Sequence, residues 1–248
     1  IVQRWLVKHY LSKYPTHSKS AIAYIKNKNI KDFAEPHRNN IFLLKLDFKD
    51  FFNSIKISDF YIFCEKLSIP EEDKIFLGLL LFCKNKQDEP YLSIGAPSSP
   101  TLSNVLMFNF DNEVFNLCKK DGIIYTRYAD DLAFSTNQPN VLRQLLSNIK
   151  ELCAKLNYPR NLQINTQKTI FTSKKYNRTL TGLVISNDGN VGIGREKKRK
   201  LRAIAHQAKL GRLSQDKVGS LLGKIAFLKG IDPSFAKQLE DKYLKHIS

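Results

Sequence analysis

With 248 residues, 42% of them hydrophobic and 11% aromatic, the chain can bury a real core, as one large domain or as two or three lobes, which excludes a disordered segment. Forty Lys and Arg against 23 Asp and Glu leave a formal net charge of +17, which points to a polyanionic partner, most simply nucleic acid. An anionic membrane surface is the lesser alternative, and the longest apolar run, Ile75–Cys83, is far too short to span a bilayer and predicts a core helix; no membrane partner is expected.

The opening IVQRWLVKHY carries no Met and no small-residue cleavage site, so no signal peptide is expected and further residues upstream are. Cys64, Cys83, Cys118 and Cys153 form no CxxC pair and have no His at zinc-ligand spacing; they are expected as reduced, mostly buried thiols of a reducing cytosol. Residues 1–30 predict two amphipathic helices, the first running through Trp5 and Leu6 until Pro15, the second capped by Ser18 or Ser20 and carrying Ala21, Tyr24 and Ile25. The basic residues crowded there, from Arg4 to Lys31, suit a wet face or a lobe that touches phosphates.

Ile41–Leu46 predicts a buried strand ending at Asp47, a position suited to a ligand-binding carboxylate. Ser58–Lys66, capped by Ser58, and Glu71–Lys84, started by Pro70, predict helices. Residues 85–104 are rich in Gly, Pro and Ser and open a mostly apolar helix over Thr101–Leu117, with Pro100 at its first position; such a loop lets backbone approach a ligand closely.

Ile123–Thr136 predicts a hairpin, with strands at Ile123–Tyr128 and Leu132–Ser135 and the pair Asp130-Asp131 at the turn. Adjacent carboxylates repel, and partial burial raises the cost of ionising both; a bound Mg²⁺ would remove that cost, and a solvated turn would avoid it. An amphipathic helix follows at Val141–Leu156, then strands at 162–171 and 178–186 around a Lys-rich turn, and a hairpin turn at Asn187-Asp188-Gly189. Arg195–Ser248 predicts a three-helix bundle punctuated by Gly211 and Gly230. Its first helix sets an apolar stripe, Leu201, Ile204, Ala205 and Ala208, through strong positive charge.

In this order LDFKDFF, IGAPSSPTLSN, YADD, INTQKT and TLTG resemble the palm motifs of reverse transcriptases, from about Ile41 to Gly182. Within that family the chain is most similar to bacterial retron reverse transcriptases. AEPHR (34–38) resembles their NAxxH element, keeping Ala34 and His37, and Leu180-Thr181-Gly182 resembles their VTG element. Phe33 stands where Asn is usual, Leu180 where Val is, and Ser93-Ile94-Gly95 where the family has PQG.

The resemblance implies an α+β right-hand polymerase: partial fingers over 1–40 with their N-terminal part missing, an RRM-like palm with an antiparallel sheet over 41–194, including finger-side helices and a loop at about 67–100, and a helical thumb over 195–248. It implies RNA-directed DNA polymerisation on a cognate non-coding RNA, with dNTPs as substrates and an RNA–DNA hybrid as product. Multicopy single-stranded DNA synthesis, anti-phage defence, an effector protein and the bacterial cytoplasm go with it. Another prokaryotic reverse transcriptase, group II intron-like or defence-associated, and a catalytically silent RNA-binding scaffold are the alternatives; a two-Asp nuclease is a third. The presence of all three carboxylates favours the enzyme.

Phosphoryl transfer by two Mg²⁺ ions, with Mn²⁺ as the alternative, needs carboxylates from separate elements meeting at one point. By resemblance, Asp47 and Asp130 bridge the ions, Asp131 ligates more weakly, and the Phe48 carbonyl adds an oxygen. Asp50 and Phe51 line the triphosphate and 3′-hydroxyl side, and Phe52 is a steric gate against ribonucleotides. Gly95, with Ala96, Ser99 and Pro100, floors the templating base pair, and Lys168 neutralises or protonates pyrophosphate, with Asn165 orienting its loop. His37 and Arg127 are candidate nucleic-acid contacts, and Lys197, Lys198, Arg199 and Arg202 would track the hybrid along the thumb.

Overall fold

The computed structural model describes residues 1–16, 19–84 and 89–244. Within them the chain runs α1 (Val2–His9), α2 (Ile30–Ala34), β1 (Phe42–Asp47), α3 (Phe51–Ser54), α4 (Ile57–Lys66), α5 (Glu71–Leu81), α6 (Ser99–Leu106), α7 (Phe108–Lys120), β2 (Ile124–Tyr128) and β3 (Asp131–Thr136). It continues through α8 (Val141–Lys155), β4 (Ile170–Ser173), β5 (Arg178–Leu180), β6 (Leu183–Ile185), β7 (Val191–Gly192), α9 (Gly194–Lys209), α10 (Gln215–Lys229) and α11 (Pro233–Leu239) to a π-helical turn at Glu240–Leu244. No helix among the described residues is long and apolar enough to cross a membrane, and the cysteines there form no disulfide.

The first sheet has the order β2-β3-β1-β4, every neighbour antiparallel, so β1 lies inside it. Side chains alternate across a strand, and here both faces are covered. Leu44 and Leu46 of β1, Leu132 and Phe134 of β3 and Tyr125 of β2 enter one core with Phe110 and Val114 of α7 and Ile149 of α8. Leu43 and Ala133, on the other face, enter a second core with Phe33 of α2, Leu180 and Leu183 of the small sheet β5-β6-β7, and Ala205, Ile225 and Phe235 of the terminal helices. Each fully buried Leu in these cores contributes about 2 kcal/mol.

Four local expectations change. Residues 20–24 form no helix. Arg127 N–H donates to the Ser20 carbonyl (2.7 Å) and Ile22 N–H to the Arg127 carbonyl (2.9 Å), so the segment runs parallel along the edge of β2. An unpaired strand edge is a stronger attraction than a marginal helical repeat; Ser18, the other expected cap, lies outside the described residues. The apolar helix expected at 101–117 is two helices, α6 and α7, meeting at Met107. The strand expected at 162–171 is reduced to Ile170–Ser173, because the Asn165 side chain accepts from Gln167 N–H at 3.1 Å and turns Thr166–Lys168 into a 3₁₀ helix. Helix α4 starts at Ile57, ahead of Ser58, with the Asp59 carboxylate accepting from Lys56 N–H at 2.9 Å.

Candidate active site

Strand parity and register assemble the acidic site. On β1, Asp47 shares a face with Leu43 and Lys45; on β3, Asp131 shares a face with Ala133. Asp47 and Asp131 are direct partners in the β1–β3 register, which sets two like charges side by side across the strands. Phe48 N–H donates to the Asp130 carbonyl at 3.1 Å, locking the end of β1 to the turn between β2 and β3. At that turn Ala129 takes φ 57°, a left-handed conformation that costs an alanine about 1–2 kcal/mol.

The turn is held from the opposite face. Arg127 and Tyr125 point toward α7, where the Arg127 guanidinium meets Asp111: Nη2 to Oδ2 at 2.6 Å and Nε to Oδ1 at 2.8 Å. Both side chains have zero exposure. Arg127 Nη1 donates to the Ala129 carbonyl at 3.1 Å, Nη2 also donates to Asn104 Oδ1 at 3.1 Å, and the Tyr125 hydroxyl donates to Asp111 Oδ1 at 2.7 Å.

Asp47 is 8% exposed; its Oδ2 accepts from Lys168 Nζ at 3.1 Å, while its Oδ1 is buried with no hydrogen-bond partner. Burial, followed by the charges of Asp130 and Asp47, pushes the Asp131 carboxyl up to about 6. Burial and then Asp47 raise that of Asp130, against a lowering hydrogen bond from its own backbone. Among the described residues no group of three His, Cys, Asp or Glu side chains forms a ready-made metal cage. The donor set nonetheless fits Mg²⁺: hard oxygens, an orphaned buried carboxylate oxygen and three carboxylates against the one lysine that pairs with Asp47. Mg²⁺ takes one or two protein carboxylates and completes its shell with water and substrate phosphates.

Of the residues expected at the nucleotide, Asp50, Phe51 and Phe52 follow Asp47 directly along the chain. Phe51 is buried, stacked on Phe48 at 5.7 Å and edge-on to Phe52 at 5.3 Å. Phe52 is half-buried, and Asp50, at the start of α3, is exposed with φ 47°. Gly95 stands in an open loop at φ 87°, with nothing within 4 Å of where a side chain would begin, and α6 starts beyond it with the buried hydroxyls of Ser98 and Ser99 unpartnered.

Two expected nucleic-acid contacts are corrected. Arg127 cannot reach a phosphate, because strand parity turns it to the helical side of the sheet. His37 is fully buried, with Nε2 2.8 Å from Thr126 Oγ1 and Nδ1 2.7 Å from Ser135 Oγ. The Thr126 hydroxyl donates to the Phe33 carbonyl at 3.0 Å, so it accepts from His37, which assigns the proton to Nε2 and makes Nδ1 the acceptor. Burial and then Arg178 lower this histidine to about 3, so it is neutral.

On α9, Lys197 and Arg199 are exposed, Lys197 Nζ donating to the Gly182 carbonyl at 2.9 Å. Lys198 is turned inward to Asp232 (2.5 Å) over the Phe235 ring, and Arg202 lies across the same ring at 4.8 Å. The sequence alone assigns no role to Asp111 or Asn104; an acid inside the apolar run FNFDNEV is the one signal, since such a group needs a buried partner.

The reverse transcriptase (RNA-dependent DNA polymerase) family model matches residues 1–188. The chain is 37% identical to the retron Ec83 reverse transcriptase of Escherichia coli over 98% of its length and 78% of the relative's. It is 33% identical to the retron Ec73 reverse transcriptase of the same species over 100% and 80%. Among solved structures it superposes on telomerase from Candida albicans, in complex with a telomeric RNA fragment, with a TM-score of 0.52. That match covers 95% of this chain and 47% of the other at 14% identity, a likeness of fold alone.

Proposed function

We propose, from the premise that the chain belongs to the retron reverse transcriptases and is an RNA-directed DNA polymerase, that Asp47, Asp130 and Asp131 are its polymerising centre. The observation that carries this reading is the facing of Asp47 and Asp131 across β1 and β3, with a buried Asp47 oxygen lacking any partner. Asp47, Asp130 and the Phe48 carbonyl would hold divalent ions, Mg²⁺ or Mn²⁺, with Asp131 ligating more weakly. When bound, those ions neutralise the charge that builds on the attacking hydroxyl and the leaving pyrophosphate.

The chain's own groups do the rest. Lys168, mostly exposed and hydrogen-bonded to Asp47, offers a proton and a positive charge at the rim, where pyrophosphate departs. Phe52 sets its ring against the sugar and disfavours a 2′-hydroxyl, while Asp50, Phe51 and Gly95 line the remaining nucleotide surface. Lys197 and Arg199 face solvent on α9 and meet the phosphates of the hybrid, whose near-A-form minor groove suits backbone recognition. In this reading residues 1–40 are fingers, 41–194 palm and 195–248 thumb.

The retron relatives support a finer assignment. The template is a cognate structured RNA that also primes through a 2′-hydroxyl, and the product is multicopy single-stranded DNA. The setting is anti-phage defence in the bacterial cytoplasm, alongside an effector protein. Primer extension on an RNA template with Mg²⁺ tests the centre: incorporation by the unaltered chain and none by Asp130→Asn/Asp131→Asn supports it, and equal incorporation by both refutes it. Sequencing the nucleic acid that co-purifies with the chain tests the retron assignment.

A further inference from the structure

Tyr24 has no role in the site described above, yet its side chain stands beside Phe52. Its ring centroid lies 6.5 Å from that of Phe52, tilted by 50°. Burial, then the charge of Asp130, raises its hydroxyl above the ordinary range. The residue is 47% exposed and takes φ 65°, a left-handed conformation that a large side chain adopts only under constraint.

The constraint is visible. The Ser20 and Ile22 backbones pair with Arg127, and Asn104 Nδ2 donates to the Ala23 carbonyl at 2.8 Å. Asn104 Oδ1 in turn accepts from Arg127 Nη2, and the same guanidinium holds the Ala129 carbonyl beside Asp130. One buried group therefore fixes both the acidic turn and the residue before Tyr24. The residue is nearly half exposed, so burial does not account for its strained placement, and strained conformations of this kind cluster where ligands bind.

Resting on the polymerising centre assigned above, we propose that Tyr24 is a nucleotide-binding residue, whose ring, opposite Phe52, closes the sugar and base side of the deoxynucleoside triphosphate pocket. A flat aromatic face accepts any of the four bases, so the contact adds affinity without sequence preference.

The test is single-nucleotide incorporation on an RNA template in the pre-steady state, which separates nucleotide Kd from the rate of incorporation. Tyr24→Gly removes the ring while favouring the observed φ, so the fold is kept, and thermal unfolding checks this. Its nucleotide Kd is expected to rise about 5- to 100-fold, with all four dNTPs, from the usual worth of base–aromatic stacking. Template-RNA affinity stays unchanged, and Tyr24→Phe stays within about 2-fold of the unaltered chain, as ring stacking requires. An unaltered nucleotide Kd in Tyr24→Gly overturns the proposal, and an equal loss in Tyr24→Phe overturns the role of the ring. Asp130→Asn separates the two levels: incorporation that survives it refutes the underlying centre and this site together, whereas its abolition alongside an unaffected Tyr24→Gly refutes this site alone.

Discussion

Asp111→Asn leaves the Arg127 guanidinium with zero exposure and no counter-ion. Removing one partner of a buried ion pair costs about 3–5 kcal/mol, far more than the pair's net contribution, because a charge stays buried and uncompensated. For a chain of this length each kcal/mol moves Tm by about 2–4 °C, so the variant should melt roughly 6–20 °C below the unaltered chain. Replacing both partners, as Asp111→Leu/Arg127→Met, removes the stranded charge and should recover most of that loss. Activity should not recover with it. The Ala129 carbonyl has lost its Nη1 donor and Asn104 its bond to Nη2, so the turn carrying Asp130 is no longer held. A displacement near 1 Å at a reacting centre costs on the order of 100-fold in rate. Thermal unfolding followed by circular dichroism, paired with primer extension, reads the two effects separately. A double variant with recovered Tm and full incorporation would show that the ion pair serves the fold alone.

His37 predicts an acid-sensitive fold. Its folded value is near 3 and its unfolded value near the ordinary 6.5, so below pH 6.5 the unfolded chain takes up a proton that the folded chain refuses. That stability is complete above about pH 7 and falls by about 2 kcal/mol by pH 5, and urea melts of His37→Gln should lack this slope. Phe52→Ala should raise ribonucleotide incorporation; unchanged sugar discrimination in competition assays would reject the gate. Lys168→Ala should slow incorporation by roughly 100-fold, the usual worth of a positioned proton donor, with template affinity unaltered in filter binding. Lys197→Ala and Arg199→Ala should each lower the slope of log affinity against log salt by about 1. Lys198→Ala, whose ammonium is engaged with Asp232, should lower Tm and leave that slope unchanged.

Much of the acidic site was legible because its information is local. Asp47 closes an apolar run, and Asp130-Asp131 sits between two short β-branched and aromatic runs, so neither needs distant partners to be noticed. The face to which Arg127 turns follows from parity with Leu132 and Phe134, but only once it is known which side α7 and α8 cover. Residues 20–24 misled for a related reason. Ala21, Tyr24 and Ile25 do fall at helical spacing, and what overrides them is an edge formed by residues a hundred positions later. Asn165 shortened a strand through one side-chain cap, a choice that propensity alone does not reveal. His37 was noticed as a motif residue, yet its neutrality depends on Thr126, Ser135 and Arg178, which only the folded chain assembles.

The sheet clamped between two cores behaves as a cantilever. Leu43, Leu44 and Leu46 grip β1 from above and below along its length, and Ala133, Leu132 and Phe134 do the same for β3. The carboxylates project at the tips of these beams, just beyond the gripped span. A beam anchored on both sides bends little at its end, so the spacing of Asp47 and Asp131 is set by apolar residues that never meet a nucleotide. Trimming Leu43 or enlarging Ala133 should therefore alter metal and nucleotide handling from a distance, through the stiffness of the mount.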